Sequence, residues 1–187
     1  MLLRYIVSNF KSIGHSLDFS MLPPKHCDGD LPTKDIETRA GTWKVLRRGG
    51  FFGPNASGKS SFVESLAFAK RLVLDGKKPG QGTGIPQFRG ELSDLKDRSS
   101  FQLMIYVNGD VYDYGFTLNH RQIFDEWLYI LTEKEFSPLY VRGTDENGMT
   151  NIEVKSRFAR KNSKIRKLVD ILSTGMTKKS TVLVEIV

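Results

Sequence analysis

The amino-acid sequence predicts an α/β protein with two parts, a strand–loop–helix core near the N-terminus and an antiparallel β subdomain after it. The core is indicated by the glycine-bounded segment 53–60, which stands between an apolar stretch and a helical pattern. The subdomain is indicated by segments of alternating apolar and polar residues between positions 101 and 141. At 187 residues the chain has the length of one ordinary domain.

The composition is that of a folded soluble protein, with 39% hydrophobic and 26% charged residues. No stretch approaches the ~18 apolar residues of a membrane helix, and the N-terminus is charged too early for a signal peptide, so we expect a cytoplasmic protein without membrane contact. Cys27 is single, and the scattered histidines form neither a zinc set nor a catalytic triad. The net charge of +7 fits a nucleic-acid partner and an ordinary basic surface equally well.

The N-terminal third predicts strands around a loop. Leu2 to Phe10 is rich in apolar residues and predicts a strand, and Ser16 to Phe19 predicts a shorter one. Prolines and glycines from Met21 to Gly41 predict a loop. Trp43 to Phe52 predicts a strand leading into the glycine segment, although its arginines and glycines make it less apolar than a buried parallel strand usually is.

The next elements are a helix and a β meander. Lys59 to Asp75 carries apolar residues at helical spacing on one face, and Gly76 ends the pattern. Glycines and prolines from 76 to 89 predict a surface loop and a candidate disordered stretch. The alternating strands that follow, two of them joined by the turn Asn108-Gly109-Asp110, are predicted at 101–107, 111–118, 122–131 and 139–141.

The C-terminal segment predicts a second helix over Lys155 to Leu172, with a basic face, and then the beginning of a further strand at Thr181 to Val187. The chain is therefore divided into a core at 1–76, a loop at 77–99, an antiparallel meander at 100–154, and a helix with the start of a strand at 155–187.

The glycine-bounded segment matches G-x-x-x-x-G-K-[ST], the Walker A pattern. Its two glycines allow backbone N–H groups to converge on a phosphate, and the following helix adds the positive end of its dipole. The lysine is predicted to contact the β- and γ-phosphates as the catalytic residue, and the serine after it to coordinate Mg²⁺. The predicted ATP-binding residues here are Gly53, Pro54, Asn55, Ala56, Ser57, Gly58, Lys59, Ser60 and Ser61. A glycine turn that caps the helix without a ligand is the alternative.

GFFGPNASGKSSFVESLAFAK and the opening IVSNFKSI together resemble the ABC-type ATPases of the RecF, SMC and OLD group. They are especially similar to the AAA-family ATP-binding proteins of bacterial anti-phage and abortive-infection systems, whose later segment resembles VYDYGFTLNHRQIFDEWLYI. The resemblance implies an ABC-ATPase-like P-loop core that hydrolyses ATP with Mg²⁺ between two head domains. It also adds Lys11 and Ser12 to the nucleotide site, with a simple turn after the first strand as the alternative.

The second half of such an active site is missing from the sequence. An apolar strand ending in Asp-Glu is required for Mg²⁺ and the attacking water. Leu72–Asp75 lies at the far end of the P-loop helix, and Val182–Glu185 lacks the pair. Gln122 and Glu126 match the family's water-positioning glutamine only by rough position. Leu172–Gly175 resembles the family's signature motif, but it is more typical of the end of the preceding helix. None is assigned, and we predict that the chain is the N-terminal part of a larger ATPase.

Several functions are compatible with these features. The first is an ATPase that couples nucleotide state to an effector, a nuclease or toxin, in phage defence, with self-association through its heads. The alternative is a DNA-repair or chromosome-associated ATPase whose basic residues between 157 and 164 bind nucleic acid. A scaffold that holds ATP without turnover is a third, and the NFKSI opening disfavours a small-molecule kinase.

Overall fold

A computed structural model describes residues 1–26, 31–55, 57–76, 81–90 and 97–154. Within these ranges the chain forms β-strands and a single long helix. In chain order they are β1 Leu2–Ser8, β2 Leu17–Ser20, β3 Thr33–Thr38, β4 Gly41–Leu46, α1 Lys59–Asp75, β5 Ser99–Val107, β6 Asp110–Leu118, β7 Ile123–Leu131, β8 Phe136–Thr144 and β9 Thr150–Glu153.

A seven-stranded sheet in the order β2-β1-β5-β6-β7-β8-β9 is the framework of the fold. Its pairings are all antiparallel, and β1 joins the meander directly through β5, with Tyr5 opposite Leu103. The N-terminal strands and the meander therefore share one continuous sheet. No parallel pair of strands occurs in the part of the chain that the structure describes.

Helix α1 packs on one face of this sheet through aromatic side chains. The rings of Phe10 and Phe68 lie 5.7 Å apart, and Phe68 is 5.6 Å from Phe101 on β5. The buried Tyr5 hydroxyl donates a hydrogen bond of 2.9 Å to Ser65 Oγ on the helix. These contacts fix the start of α1 over β1, next to the turn that follows that strand.

The hairpin of β3 and β4 covers a second, smaller core. Ile36 and Val45 pack there with Val111 on β6. Val111 and Tyr114, which belongs to the first core, are three positions apart on β6 and so point to opposite faces of the sheet. The hairpin consequently lies on the face away from α1.

Two predictions about the N-terminal region are wrong. The predicted loop from Met21 to Gly41 contains β3, and the predicted strand from Trp43 to Phe52 ends at Leu46 and pairs with β3 instead of leading into the glycine segment. Residues 47–55 form neither helix nor strand. The glycines at 49 and 50 explain the early end, because they offer no side chain to pack on a sheet.

The bounds of α1 and the turn at Asn108 and Gly109 agree with the predictions, and β1, β2 and the strands of the meander are present with shifted ends. β1 ends at Ser8 instead of Phe10, and β8 extends over Phe136–Thr144 instead of 139–141. The described residues are mainly antiparallel sheet with one helix, so of the predicted α/β core they show the loop and helix but no parallel strands. The short strand β9 was not predicted. Cys27, the predicted helix at 155–172 and the predicted strand at 181–187 lie outside the described residues. The structure contains, in the ranges it describes, no helix with the length and apolar character needed to span a membrane.

Candidate nucleotide site

The turn after β1 has an unusual backbone. Asn9 and Lys11 adopt positive φ angles of 53° and 49°, which non-glycine residues rarely do. The turn is closed by paired backbone hydrogen bonds of 2.8 Å between Phe10 and Ile13. Strain of this kind persists only where the surroundings hold it in place.

The Asn9 side chain makes two of the hydrogen bonds that hold this turn in place. It is 5% exposed, its Oδ1 accepts a 3.0 Å hydrogen bond from the Phe88 amide, and its Nδ2 donates to the Arg98 carbonyl at 3.2 Å. The backbone amide of Lys11 also donates to the Pro86 carbonyl at 2.7 Å. The turn is therefore bound to the segment that follows α1, far away in sequence.

The glycine segment ends at the N-terminus of α1. Gly58 is the N-cap residue with φ of 95°, a left-handed conformation that glycine adopts without strain. No side chain caps α1, and its first turn holds no acidic residue. Since the first amides of a helix have no acceptor within the helix, those of Lys59, Ser60 and Ser61 are available to an anion.

The Lys59 ammonium folds across this loop. Its Nζ donates to the carbonyl oxygens of Gly53 at 2.7 Å and Pro54 at 2.6 Å, and lies 3.5 Å from Ser57 Oγ. A Cβ on Gly53 would lie 2.7 Å from the Ser57 hydroxyl, so a larger residue there would require the Ser57 side chain to move. The lysine and the loop thus form one compact unit.

The turn after β1 touches the glycine loop at two points. Ser12 Oγ lies 2.6 Å from Ser61 Oγ, and a Cβ on Gly58 would stand 3.3 Å from the same Ser12 oxygen. Beside them, Lys11 Nζ forms a 2.7 Å ion pair with Glu64. Both charged side chains of that pair are largely exposed, so it contributes little stability and serves mainly to orient the lysine.

A cavity of about 340 Å³ lies where these elements meet. It is lined by Ser12, Asn55, Ser57, Gly58, Lys59, Ser60 and Ser61. Of the other predicted residues, Gly53 and Pro54 hold the Lys59 ammonium, Lys11 lines a neighbouring cleft, and Ala56 lies outside the described residues.

The neighbouring cleft was not predicted. Its volume is about 970 Å³, and its walls are the turn at 9–12, residues 86–90, Asp97 and His120. Ser12 lines both spaces. The residues of this cleft are distant in sequence and carry no shared motif, so only the folded chain reveals them.

Asp75 and Gln122, two of the residues considered for the second half of an ATPase site, do not line the cavity beside Lys59. Asp75 ends a 17-residue helix and so lies about 24 Å from Lys59. Gln122 donates to the Asp145 carbonyl at 2.9 Å. Leu172–Gly175 and Val182–Glu185 lie outside the described residues.

Glu126 is fully buried in a polar cluster on the sheet. Its carboxylate accepts hydrogen bonds from Tyr114 at 3.1 Å and Tyr140 at 2.9 Å, and it pairs with Arg142 at 3.5 Å. Burial raises the pKa of the Tyr140 phenol and lowers the pKa of the Arg142 guanidinium. These contacts give Glu126 a structural role inside the sheet.

Two Asp-Glu pairs fall in the described ranges, at 125–126 and 145–146. The first lies within β7, and the second lies in the turn between β8 and β9, where Asp145 accepts a hydrogen bond from the Met149 amide. Neither pair lines the cavity beside Lys59. In the described part of the chain, no cluster of three or more His, Cys, Asp or Glu residues could hold a metal ion.

The sequence matches the model of a known protein family. A family described as "AAA domain, putative AbiEii toxin, Type IV TA system" matches residues 50–161, which is more than half of the chain and includes the glycine loop, α1 and the strands β5 to β9. No curated protein matches the sequence significantly.

Proposed function

The chain belongs to this family of AAA-type ATPases, and we propose that it binds ATP with Mg²⁺ in the cavity between Ser12 and the loop at 53–61. The observation that carries the proposal is that Lys59 and the uncapped N-terminus of α1 line one cavity. Both carry positive charge, so both would attract a triphosphate into that space.

The residues at the cavity fit a magnesium-bound triphosphate. Gly58 has no Cβ, so phosphate oxygens can approach the backbone amides that follow it. Ser60 is exposed and lines the cavity, and its hydroxyl is the ligand that this loop offers to Mg²⁺. When bound, Mg²⁺ neutralises charge on the β- and γ-phosphates.

Lys59 would change partners when ATP binds. Its ammonium is held by two neutral carbonyl oxygens. An ionised phosphate adds Coulombic attraction between opposite charges, which a neutral carbonyl lacks, so we expect the lysine to transfer to the β- and γ-phosphates. Ser61 would add a hydrogen bond through its hydroxyl while Ser12 keeps it in place.

For hydrolysis we propose a larger assembly. Full turnover needs a carboxylate that orients water, and we propose that such a group comes from outside the described residues or from a second head domain. We propose self-association through the ATPase heads on this ground. The family description names a putative toxin of a type IV toxin–antitoxin system. We propose on this ground that nucleotide state controls an effector, a nuclease or toxin, in phage defence.

Calorimetric titration of the full chain with MgATP tests the binding proposal. Lys59→Ala removes the central ammonium and should weaken ATP binding by roughly tenfold or more. Lys70→Ala is the matched control, because Lys70 is an exposed lysine on the same helix and lies outside the cavity. Equal ATP affinity in the two variants would overturn the proposal.

A further inference from the structure

We propose that a pocket of about 380 Å³ at the edge of the main sheet binds the carboxylate of an acidic side chain on a partner protein. Its walls come from the residue before β5, the turn between β6 and β7, the start of β7 and the turn between β8 and β9. The lining residues are Arg98, Asn119, Arg121, Gln122, Phe124 and Glu146. Among the described residues, the pocket shares none of its walls with the cavity at Lys59 or the cleft beside it, so the inference does not depend on ATP binding.

The Arg98 residue is fixed at both its side chain and its backbone. Its guanidinium carbon lies 3.7 Å from the centroid of the Phe124 ring, and its carbonyl accepts the 3.2 Å hydrogen bond from Asn9. Phe124 is 7% exposed, so the ring gives the guanidinium a well-packed surface to stack on. Stacking uses the face of the guanidinium plane and leaves the N–H donors at its edge for an anion.

The carboxylate of Asp125 does not occupy these donors. Arg98 Nη1 lies 3.9 Å from Asp125 Oδ2, which is longer than a hydrogen bond, and the Asp125 side chain is 52% exposed. An exposed ion pair of this kind is weak, so an anion that enters the pocket can compete for the guanidinium.

The turn between β6 and β7 supplies further donors. Asn119 Oδ1 accepts hydrogen bonds from the backbone amides of Arg121 at 2.8 Å and Gln122 at 3.1 Å. Because these amides occupy Oδ1, the group that Asn119 can offer to a ligand is its Nδ2 donor. The Arg121 side chain is exposed and, within the described ranges, its guanidinium forms no hydrogen bond or ion pair. Two guanidinium groups and one amide therefore line the same small space.

The Gln122 side chain joins the two turns that form the pocket. It is 9% exposed, and its Nε2 donates a 2.9 Å hydrogen bond to the carbonyl of Asp145, next to Glu146. The Asn119 amide donates to the Gln122 carbonyl at 3.0 Å and closes the first turn. The walls are thus positioned before a ligand arrives, which lowers the entropic cost of binding.

The charges around the pocket favour an anion with a single negative charge. Glu146 lines the pocket together with Arg121, and Asp125 lies beside Arg98. A carboxylate carries one charge and accepts two parallel hydrogen bonds from a guanidinium. A phosphomonoester carries nearly two charges at pH 7, so the acidic groups repel it more strongly.

The size and the rim of the pocket favour a side chain of a protein. A volume of about 380 Å³ is near the lower end of the range for small-ligand sites and has room for one side chain. Arg121, Asp125 and Glu146 are exposed at or beside the opening, and they present charges of both signs. A protein surface with an acidic residue next to basic ones is complementary to this pattern.

Three capped tripeptides test the inference, each with two glycines around a central glutamate, glutamine or phosphoserine. Each is titrated into the full chain without nucleotide at constant ionic strength and pH 7, and the NMR resonance of the Gln122 backbone amide reports binding. The glutamate peptide should bind with a dissociation constant in the millimolar range, and the glutamine peptide roughly tenfold or more weakly. The phosphoserine peptide should bind no more tightly than the glutamate peptide.

Arg98→Lys keeps the positive charge but removes the planar pair of donors, and should weaken binding of the glutamate peptide by roughly threefold to tenfold. Arg48→Lys, at an exposed arginine outside the pocket, is the matched control and should change this affinity by less than about twofold. Arg121→Gln, at an exposed position of the turn, should weaken the same peptide and replaces Arg98→Lys if that variant does not fold. Equal binding of the glutamate and glutamine peptides, tighter binding of the phosphoserine peptide, or unchanged affinity in the pocket variants would overturn the carboxylate assignment.

Discussion

The hydroxyl oxygens of Ser12 and Ser61 lie 2.6 Å apart and join the turn after β1 to the first turn of α1. The two residues are 49 positions apart in sequence. Their contact sets the position of the turn after β1 relative to the backbone amides at the start of α1. The glycine loop and α1 are therefore held by a residue from outside their own motif, and substitution of Ser12 tests that contact.

Ser12→Ala removes this contact without enlarging a side chain. We expect ATP affinity to fall by roughly threefold to tenfold and stability to fall by about 1 kcal/mol, because one hydrogen bond is lost. Titration calorimetry and chemical denaturation measure the two effects. Ser16→Ala, an exposed serine outside both spaces, is the control and should change neither quantity. Unchanged ATP affinity in Ser12→Ala would show that the contact does not support binding.

Gly58→Ala tests the proposed phosphate-binding turn at the start of α1. Alanine at φ of 95° is strained, which costs roughly 1–2 kcal/mol, and its Cβ would stand 3.3 Å from Ser12 Oγ. Gly109→Ala has similar strain, since Gly109 has φ of 88°, but its Cβ meets open space in a hairpin turn. Both variants should lose similar stability in denaturation experiments, and only Gly58→Ala should lose ATP binding. Loss of binding in both would point to general destabilisation.

Local patterns predicted much of this fold. The bounds of α1 agree residue for residue, because apolar spacing and Gly76 are both local signals. The hairpin turn at Asn108 and Gly109 was also predictable, since both residues favour the positive φ that they adopt. The order of glycines, lysine and serine in the loop at 53–60 also predicts an anion site, and that stays a prediction.

The features that the sequence did not predict depend on pairing between strands that are distant in sequence. The apolar residues from Trp43 onward indicated a strand, but its partner β3 has the polar sequence TKDIET, in which Ile36 is the buried position. The cleft could not be predicted for the same reason. Asn9, Phe88 and His120 meet only because β1 pairs with β5 and the chain between them folds back over the turn.

The buried hydrogen bond between Tyr5 and Ser65 predicts which of two substitutions destabilises the protein more. Tyr5→Phe removes one hydrogen bond and leaves Ser65 Oγ donating to the Phe62 carbonyl at 2.6 Å, so it should cost about 1 kcal/mol. Ser65→Ala takes the partner away from the Tyr5 hydroxyl and should cost about 1–3 kcal/mol. Urea denaturation of both variants measures the difference. The reverse order would mean that the hydroxyl finds another partner.

The surface ion pair of Arg4 and Asp18 predicts that the free energy of unfolding depends on pH. The hydrogen bond from Arg4 lowers the pKa of the Asp18 carboxyl. A lowered pKa in the folded state means that the pair contributes stability above the unfolded value of about 3.9, and that this contribution disappears as the pH falls through the folded value. Both side chains are 42% exposed, so solvent screening limits the contribution to less than about 1 kcal/mol.

Asp18→Asn should therefore be slightly less stable than the unchanged protein at pH 7, and the gap should close in acid. Denaturation midpoints measured from pH 7 down to pH 2 give the comparison. Asp18→Asn introduced into an Arg4→Gln background is the control and should show no such closing gap, because the Arg4 hydrogen bond is absent. A gap that widens in acid would reverse the assigned sign.

The buried ion pair of Glu126 and Arg142 predicts that substitutions at the two positions have strongly non-additive effects on stability. Both side chains are fully buried, and the Glu126 carboxylate is further held by Tyr114 and Tyr140. Arg142→Met alone leaves a buried carboxylate without its cation and should cost about 3–5 kcal/mol. Glu126→Gln alone leaves the guanidinium without its anion and should cost a similar amount. The double variant removes both charges, so its loss should be smaller than the sum of the single losses by roughly 1–3 kcal/mol. A double-mutant cycle from urea denaturation measures this difference, and strictly additive losses would show that the two charges do not stabilise each other.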